Sequence, residues 1–130
     1  MRKGKLLNSN INRVLGNMGA QDCITLSNIE MSIPDFNEKI DLALQVGTPS
    51  LIETLEVVLN EYNAGIVVIP EEIKEDDPEL LKAILNMVSE DRVQYVSYMQ
   101  FRKRSERSKA VVRTGEVSKY ACILLESNGL

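Results

Sequence analysis

The sequence predicts one α/β domain of three layers, residues 1–130, with a largely parallel central sheet covered by helices on both faces. Three observations predict it. Helix-period and strand-period patterns alternate along the chain. The run Gly65-Ile66-Val67-Val68-Ile69-Pro70 is apolar at every alternating position, as a strand buried on both faces must be. At 130 residues, with no linker, repeat or low-complexity segment, the chain suits a single core.

The first helix is expected from Asn8 or Ser9, either of which can cap it, with Ile11, Val14, Leu15 and Met18 forming an apolar stripe. Gly16 weakens that pattern, and Gly19 fits the left-handed position that ends many helices. Asp22 to Ser27 reads as a strand and Asn28 to Pro34 as the loop leaving it. Lys39 to Leu44 alternates in the strand manner, placing Ile40, Leu42 and Leu44 on one face. Thr48-Pro49 is expected to open a helix whose stripe is Leu51, Ile52, Leu55, Val58 and Leu59.

After the central strand, Glu71-Glu72 stands at its carboxyl end, where open α/β sheets bind ligands. The pair reads as carboxylates for acid–base work or, more plainly, as a solvated loop entering Glu75-Asp76-Asp77. Asp77-Pro78 is a helix start, with Leu80, Leu81, Ile84, Leu85 and Val88 as the buried face. Val93 to Ser97 is a strand. Arg102 to Lys109 carries five cations and one anion in eight residues, which suits the wet face of a short helix or an anionic partner. The chain ends as strand, turn, strand: Val111 and Val112 are β-branched, Gly115 punctuates a polar turn, and Cys122 to Leu125 is apolar before Glu126-Ser127-Asn128-Gly129.

Composition narrows the chemistry. A formal charge of -4 gives no reason to expect nucleic acid or an anionic membrane as partner, and no apolar run approaches a membrane span. The start lacks a secretory apolar stretch, so a cytoplasmic protein is expected. Cys23 and Cys122 form no Cys-x-x-Cys pair and are expected as buried thiols rather than metal ligands. There are no histidines, the commonest acid–base groups near neutrality. Catalysis would therefore fall to carboxylates, phenols, amines or thiols.

Arg113-Thr114-Gly115-Glu116 followed by Tyr120-Ala121-Cys122 resembles the C-terminal signature of the ribose pyranase and fucose mutarotase family. The resemblance extends over nearly the whole chain, through Lys3-Gly4, Leu7-Asn8-Ser9, Lys39-Ile40-Asp41 and Glu71-Glu72-Ile73-Lys74. It is closest to the ribose pyranase branch. It implies interconversion of pyranose and furanose forms of an unphosphorylated aldose, without metal or organic cofactor. It also implies a ring-forming homo-oligomer, commonly a decamer, with sites at subunit contacts.

The same resemblance places Ala20 where the family has its acid–base histidine and Asn28 where an aspartate holds substrate. Tyr98 stands in place of a second histidine, and Cys122 in place of an asparagine. Substrate contacts are therefore expected from Asn28, Tyr98, Tyr120, Ala121 and Cys122. Asp22 and Glu116 are the remaining catalytic candidates. The preferred expectation is a monosaccharide-binding protein that lost the catalytic position at Ala20. An active mutarotase running on Tyr120 with Glu116 or Asp22, and a structural or regulatory oligomer with a closed cleft, are the alternatives.

Overall fold

The computed structural model describes residues 6–127. Lys3-Gly4 at one end and Asn128-Gly129 at the other lie outside the described residues. In chain order the elements are α1 (Ser9–Asn17), β1 (Cys23–Ser27), β2 (Lys39–Asp41), α2 (Leu51–Glu61), β3 (Ala64–Pro70), α3 (Ile73–Asp76), α4 (Pro78–Leu85), β4 (Val93–Val96), α5 (Tyr98–Ser105), β5 (Val111–Arg113) and β6 (Ile123–Ser127). A single 3-10 turn, Glu90–Arg92, leads into β4.

The six strands form one sheet in the order β2-β5-β1-β6-β3-β4. Five run the same way and β6 alone is reversed, antiparallel to both β1 and β3. The terminal strand-turn-strand reading needs correcting as a hairpin, because β5 and β6 do not pair. Each instead flanks β1, β5 in parallel at Leu26 opposite Val112 and β6 in antiparallel at Ile24 opposite Leu125. Nine residues separate β5 from β6, enough chain to step over β1.

Both faces of the sheet are covered, giving the three layers expected. On one face Ile24, Leu26, Ile40, Val67, Ile69, Val112, Ile123 and Leu125 meet Ile11 and Val14 of α1, Leu51, Leu55 and Val58 of α2, and Ile73 and Ile84 of α3 and α4. On the other, Cys23, Val68, Val111 and Leu124 meet Met31 and Phe101 of α5. Period-2 alternation thus sorts neighbours in β1 and β6 to opposite layers. Each fully buried side chain of this size contributes about 1.5–3 kcal/mol of apolar transfer energy.

Local chemistry sets the element ends, with some differences from expectation. Asn8 caps α1, its Oδ1 accepting from the Ile11 amide at 2.9 Å. Gly19 is not the left-handed residue; Gln21 is, at φ 68°, as the third residue of a turn closed by Asp22 N donating to Gly19 O. The cap of α2 is Ser50 rather than Thr48, through a reciprocal box with Glu53. Pro49 is otherwise engaged, its carbonyl accepting from Gly115 N at 2.7 Å. The strand expected over Lys39 to Leu44 stops at Asp41, and Leu44 is 80% exposed, because the chain turns at Gln45 to Thr48. In α4 only Ile84 is fully buried, and Val88 lies past its end. Asp77 caps α4 as expected, accepting from Leu80 N at 3.1 Å.

Candidate functional site

The carboxyl ends of the five parallel strands and the start of β6 share one edge of the sheet. Asn28 leaves β1 there, Glu71-Glu72 leave β3, Tyr98 opens α5 after β4, Arg113 to Glu116 leave β5, and Tyr120 to Cys122 lead into β6. The sequence places Glu71-Glu72 at this edge, and the structure brings Asn28, Tyr98, Tyr120, Ala121 and Cys122, the contacts that the family resemblance implies, together there. Tyr98 and Tyr120 meet edge to face, with ring centroids 5.3 Å apart at 77°. Arg102 and Lys119 lie 5.9 and 5.3 Å from the Tyr98 and Tyr120 centroids respectively.

Ala20 and Asp22 stand elsewhere. They precede β1 and occupy the opposite edge, roughly 15 Å away by the length of a five-residue strand. Ala20 is exposed at the second position of the Gly19 to Asp22 turn. Asp22 fastens that turn, its Oδ2 accepting from Gly19 N at 2.8 Å while Oδ1 lies 3.9 Å from Lys109 Nζ. Tyr98 therefore does not fill space beside Ala20 within one chain.

At the carboxyl edge the hydrogen bonds are mostly internal. Asn28 is buried, and both protons of its amide go to backbone carbonyls, Ser118 O and Lys119 O, each at 3.0 Å. Its Oδ1 accepts from Met31 N at 2.9 Å. Cys122 is wholly buried, and desolvation pushes its thiol up to about 12, against a smaller opposing effect of a hydrogen bond with the Asn28 backbone. Burial also raises the Tyr98 phenol, with Arg102 pulling the other way.

The carboxylates of this edge serve helix N-termini, where unpaired backbone N–H groups and the helix dipole favour negative charge. Glu72 accepts from Tyr98 N at the start of α5, at 2.9 and 3.0 Å. Glu116 Oε1 accepts from Leu51 N at the start of α2, and its Oε2 accepts from Val117 N and Ser118 N. Asp77 joins the cap of α4 to Ser118, whose Oγ donates to Oδ2 at 2.7 Å. Glu71 is exposed, and its backbone N bonds Val96 O. Among the described residues no three His, Cys, Asp or Glu side chains converge on a point suited to a metal ion.

The Arg-Thr-Gly-Glu stretch ties neighbouring loops to this edge. Arg113 donates to Asp41 Oδ1 at 3.1 Å and to Ile29 O. Thr114, buried, donates through Oγ1 to Ser27 O at 2.7 Å and accepts from Glu116 N. Gly115 lies against the turn at Gln45 to Thr48, where any Cβ would come within 2.5–2.8 Å of backbone atoms. Sequence reasoning missed Glu72 as a partner of Tyr98, and missed Ser118 and Lys119 as partners of Asn28. Their spacings of 26, 90 and 91 residues carry no local signal.

A sequence profile of the RbsD / FucU transport protein family matches residues 1–129. The chain belongs to this family. Curated relatives of the RbsD / FucU family include the D-ribose pyranase of Haemophilus influenzae, 42% identical over 135 residues, covering 98% of this chain and 97% of the relative. The D-ribose pyranase of Clostridium perfringens is 40% identical with the same coverage. The solved structure of Bacillus subtilis RbsD complexed with D-ribose superposes with a TM-score of 0.94 at 34% identity, covering 100% of this chain and 99% of that one. The fucose mutarotase of Streptococcus pneumoniae in complex with L-fucose shares the fold at a TM-score of 0.82 and 22% identity, covering 100% of this chain and 99% of that one. Family membership and the three-layer fold thus stand as the sequence implies. Among the described residues no helix is long and apolar enough to cross a membrane.

Proposed function

We propose that this family member binds a monosaccharide or a similar polar small molecule without interconverting its ring forms. One observation carries the reading: the carboxyl edge keeps an aromatic and polar frame, while Asn28, Glu116 and Cys122 there are engaged in the fold or held protonated. Ring opening needs a base at the anomeric hydroxyl and an acid at the ring oxygen. Asn28 has no ionisable proton and both amide hydrogens are engaged, the Cys122 thiol stays protonated, and the Tyr98 phenol is raised by burial. Glu116, offered by the sequence as a substitute, holds three backbone N–H groups. Asp22 sits at the other edge.

The frame that remains suits a sugar. Tyr98 and Tyr120 offer ring faces and hydroxyls, and such amphipathic rings pack against a pyranose or furanose while bonding its hydroxyls. A site joining the Ala20 turn to this edge needs a second copy of the chain, in keeping with the ring-forming oligomer that the family resemblance implies. Leu44, Val46 and Val117, 80%, 76% and 55% exposed, lie on two loops joined by Gly47 N donating to Gly115 O, and supply apolar surface for such a contact. No cofactor enters this reading.

Saturation-transfer and exchange NMR on ribose, with fucose alongside, tests it. Binding without faster ring exchange is the expected outcome. Accelerated exchange would restore the mutarotase reading and direct mutation to Tyr120 and Glu116. Absence of binding by the assembled protein would leave the closed-cleft oligomer.

A further inference from the structure

The basic run plays no part in the sugar reading, and the structure gives it a shape. Lys103, Arg104 and Arg107 line one side of a groove of about 870 Å3, and Phe36 and Val96 supply apolar surface to the same groove. Arg104 and Arg107 also line a second cavity of about 360 Å3, so both residues border the two spaces. Single-ligand pockets run to a few hundred up to about 1,000 Å3, and the groove falls in that range.

Its walls are tied together. Asn37, next to Phe36, donates through Nδ2 to Glu106 O at 3.0 Å and to Ser108 O at 3.3 Å, fixing the Phe36 loop to the end of α5. Arg104 is held from behind by Gln94 Oε1 at 3.3 Å and by Glu126 at 3.9 Å. Lys103 and Arg107 form no ion pair among the described residues. Three cations thus meet two carboxylates, Glu106 in the groove and Glu126 in the second cavity, in a chain whose formal charge is -4. Crowding like charges is unfavourable unless an anion neutralises them, and Phe36, 72% exposed, offers a ring face beside them.

We propose that this groove binds a small organic phosphate of mononucleotide size. The phosphate lies between Arg104, Arg107 and Lys103, and a flat or apolar portion rests on Phe36. Guanidinium groups suit the phosphate because their planar donors match its oxygens two at a time. The ring suits the organic portion because a planar group can stack on it.

Titrating the full chain with adenosine 5′-monophosphate, adenosine and inorganic phosphate, by calorimetry at low and moderate salt, tests the site. The monophosphate is expected to bind at least tenfold tighter than adenosine and to weaken as salt rises. Arg107→Gln, which removes no ion pair among the described residues, should weaken it at least fivefold with an unchanged melting temperature. Phe36→Ala should weaken the monophosphate but not inorganic phosphate. Equal affinity for adenosine and its monophosphate, or an Arg107→Gln variant that binds normally, would overturn the proposal. So would a change of sedimentation mass on Arg107→Gln, which would mark the groove as a contact between copies of the chain. Ribose binding is a separate readout, so this result and that of the sugar reading are independent.

Discussion

Gly115→Ala tests the organisation of the carboxyl edge most directly. A Cβ there would lie 2.5 Å from Thr48 N, 2.7 Å from Thr48 O and 2.8 Å from Gln45 O, all backbone atoms of one turn. No side-chain rotation relieves that contact, so the turn must move as a unit. Moving it strains or breaks Gly47 N to Gly115 O and Gly115 N to Pro49 O, both 2.7 Å. Overpacking alone costs about 1–3 kcal/mol, and a hydrogen bond about 1 kcal/mol. A loss of about 2–4 kcal/mol is expected, or roughly 8–16 °C in melting temperature for a chain of this size. Gly16→Ala is the control, because nothing lies within 4 Å of a Cβ at that helical position. It should gain up to about 1 kcal/mol. Urea titration of both variants measures the difference, and amide exchange at Gly47 and Leu51 reports whether the edge loosened. If Gly115→Ala cost less than about 0.5 kcal/mol, the close approach of Gly115 to the Gln45–Thr48 turn would not hold the edge.

Asn28→Asp should destabilise the protein by about 3–5 kcal/mol at neutral pH, since a buried carboxylate would replace the amide that donates to Ser118 O and Lys119 O. Its folded pKa would lie above the unfolded value, so the gap to the parent protein should shrink as pH falls toward about 4; equal stability of the two proteins at pH 8 would refute the assignment of those bonds. Gln21→Gly should stabilise by up to about 1 kcal/mol, because it relieves a non-glycine residue at φ 68°, and an unchanged urea midpoint would count against strain there. Cys122 and Tyr62 are both pushed up to about 12 by burial, from ordinary values of 9.0 and 10.0. Raised folded values mean that their contribution is intact below about 9 and is lost as pH rises toward about 12, and Cys122→Ala should flatten the first part of that decline. Native Cys122 should also resist thiol reagents until the chain unfolds. Ala20→His, on an exposed turn, should change stability by less than about 0.5 kcal/mol and leave ribose ring exchange no faster, whereas acceleration by that single change would overturn the account of the carboxyl edge.

What the sequence made legible was whatever depends on neighbours in the chain. The stripe of α1, the Asp77-Pro78 start of α4 and the doubly apolar β3 follow from periodicity and capping chemistry, and each is present. The terminal segment shows where that logic stops. Val111 to Arg113 and Ile123 to Ser127 are strands in isolation, but their partner is β1, some 90 residues earlier. No local rule distinguishes a hairpin from two strands straddling a third. Leu44 fails for a related reason, since alternation continues past the point where the Gln45 to Thr48 turn takes over. At the site, the family resemblance named Asn28, Tyr98, Tyr120, Ala121 and Cys122, which the fold gathers at the carboxyl edge. It did not reveal that Glu116 and Glu72 serve helix N-termini, because those contacts join residues 65 and 26 apart.

On the binding reading proposed above, that use of carboxylates explains how the frame at the carboxyl edge would persist without proton transfer. Glu72, Asp77 and Glu116 each bind the amino end of a different helix, α5, α4 and α2. Removing one would expose helix N–H groups as well as alter the rim, so these residues are held in place by the fold whatever happens to chemistry. Proton transfer makes no such structural demand on Ala20. Its turn is closed by Gly19 O and fastened by Asp22, and neither contact uses the side chain at position 20. A histidine there could therefore be exchanged for a methyl group at almost no structural cost, while the tyrosine pair and its supporting loops stay assembled. On the proposed reading, binding belongs to one edge and position 20 to the other, so a change at position 20 leaves the hydrogen bonds of the carboxyl edge in place.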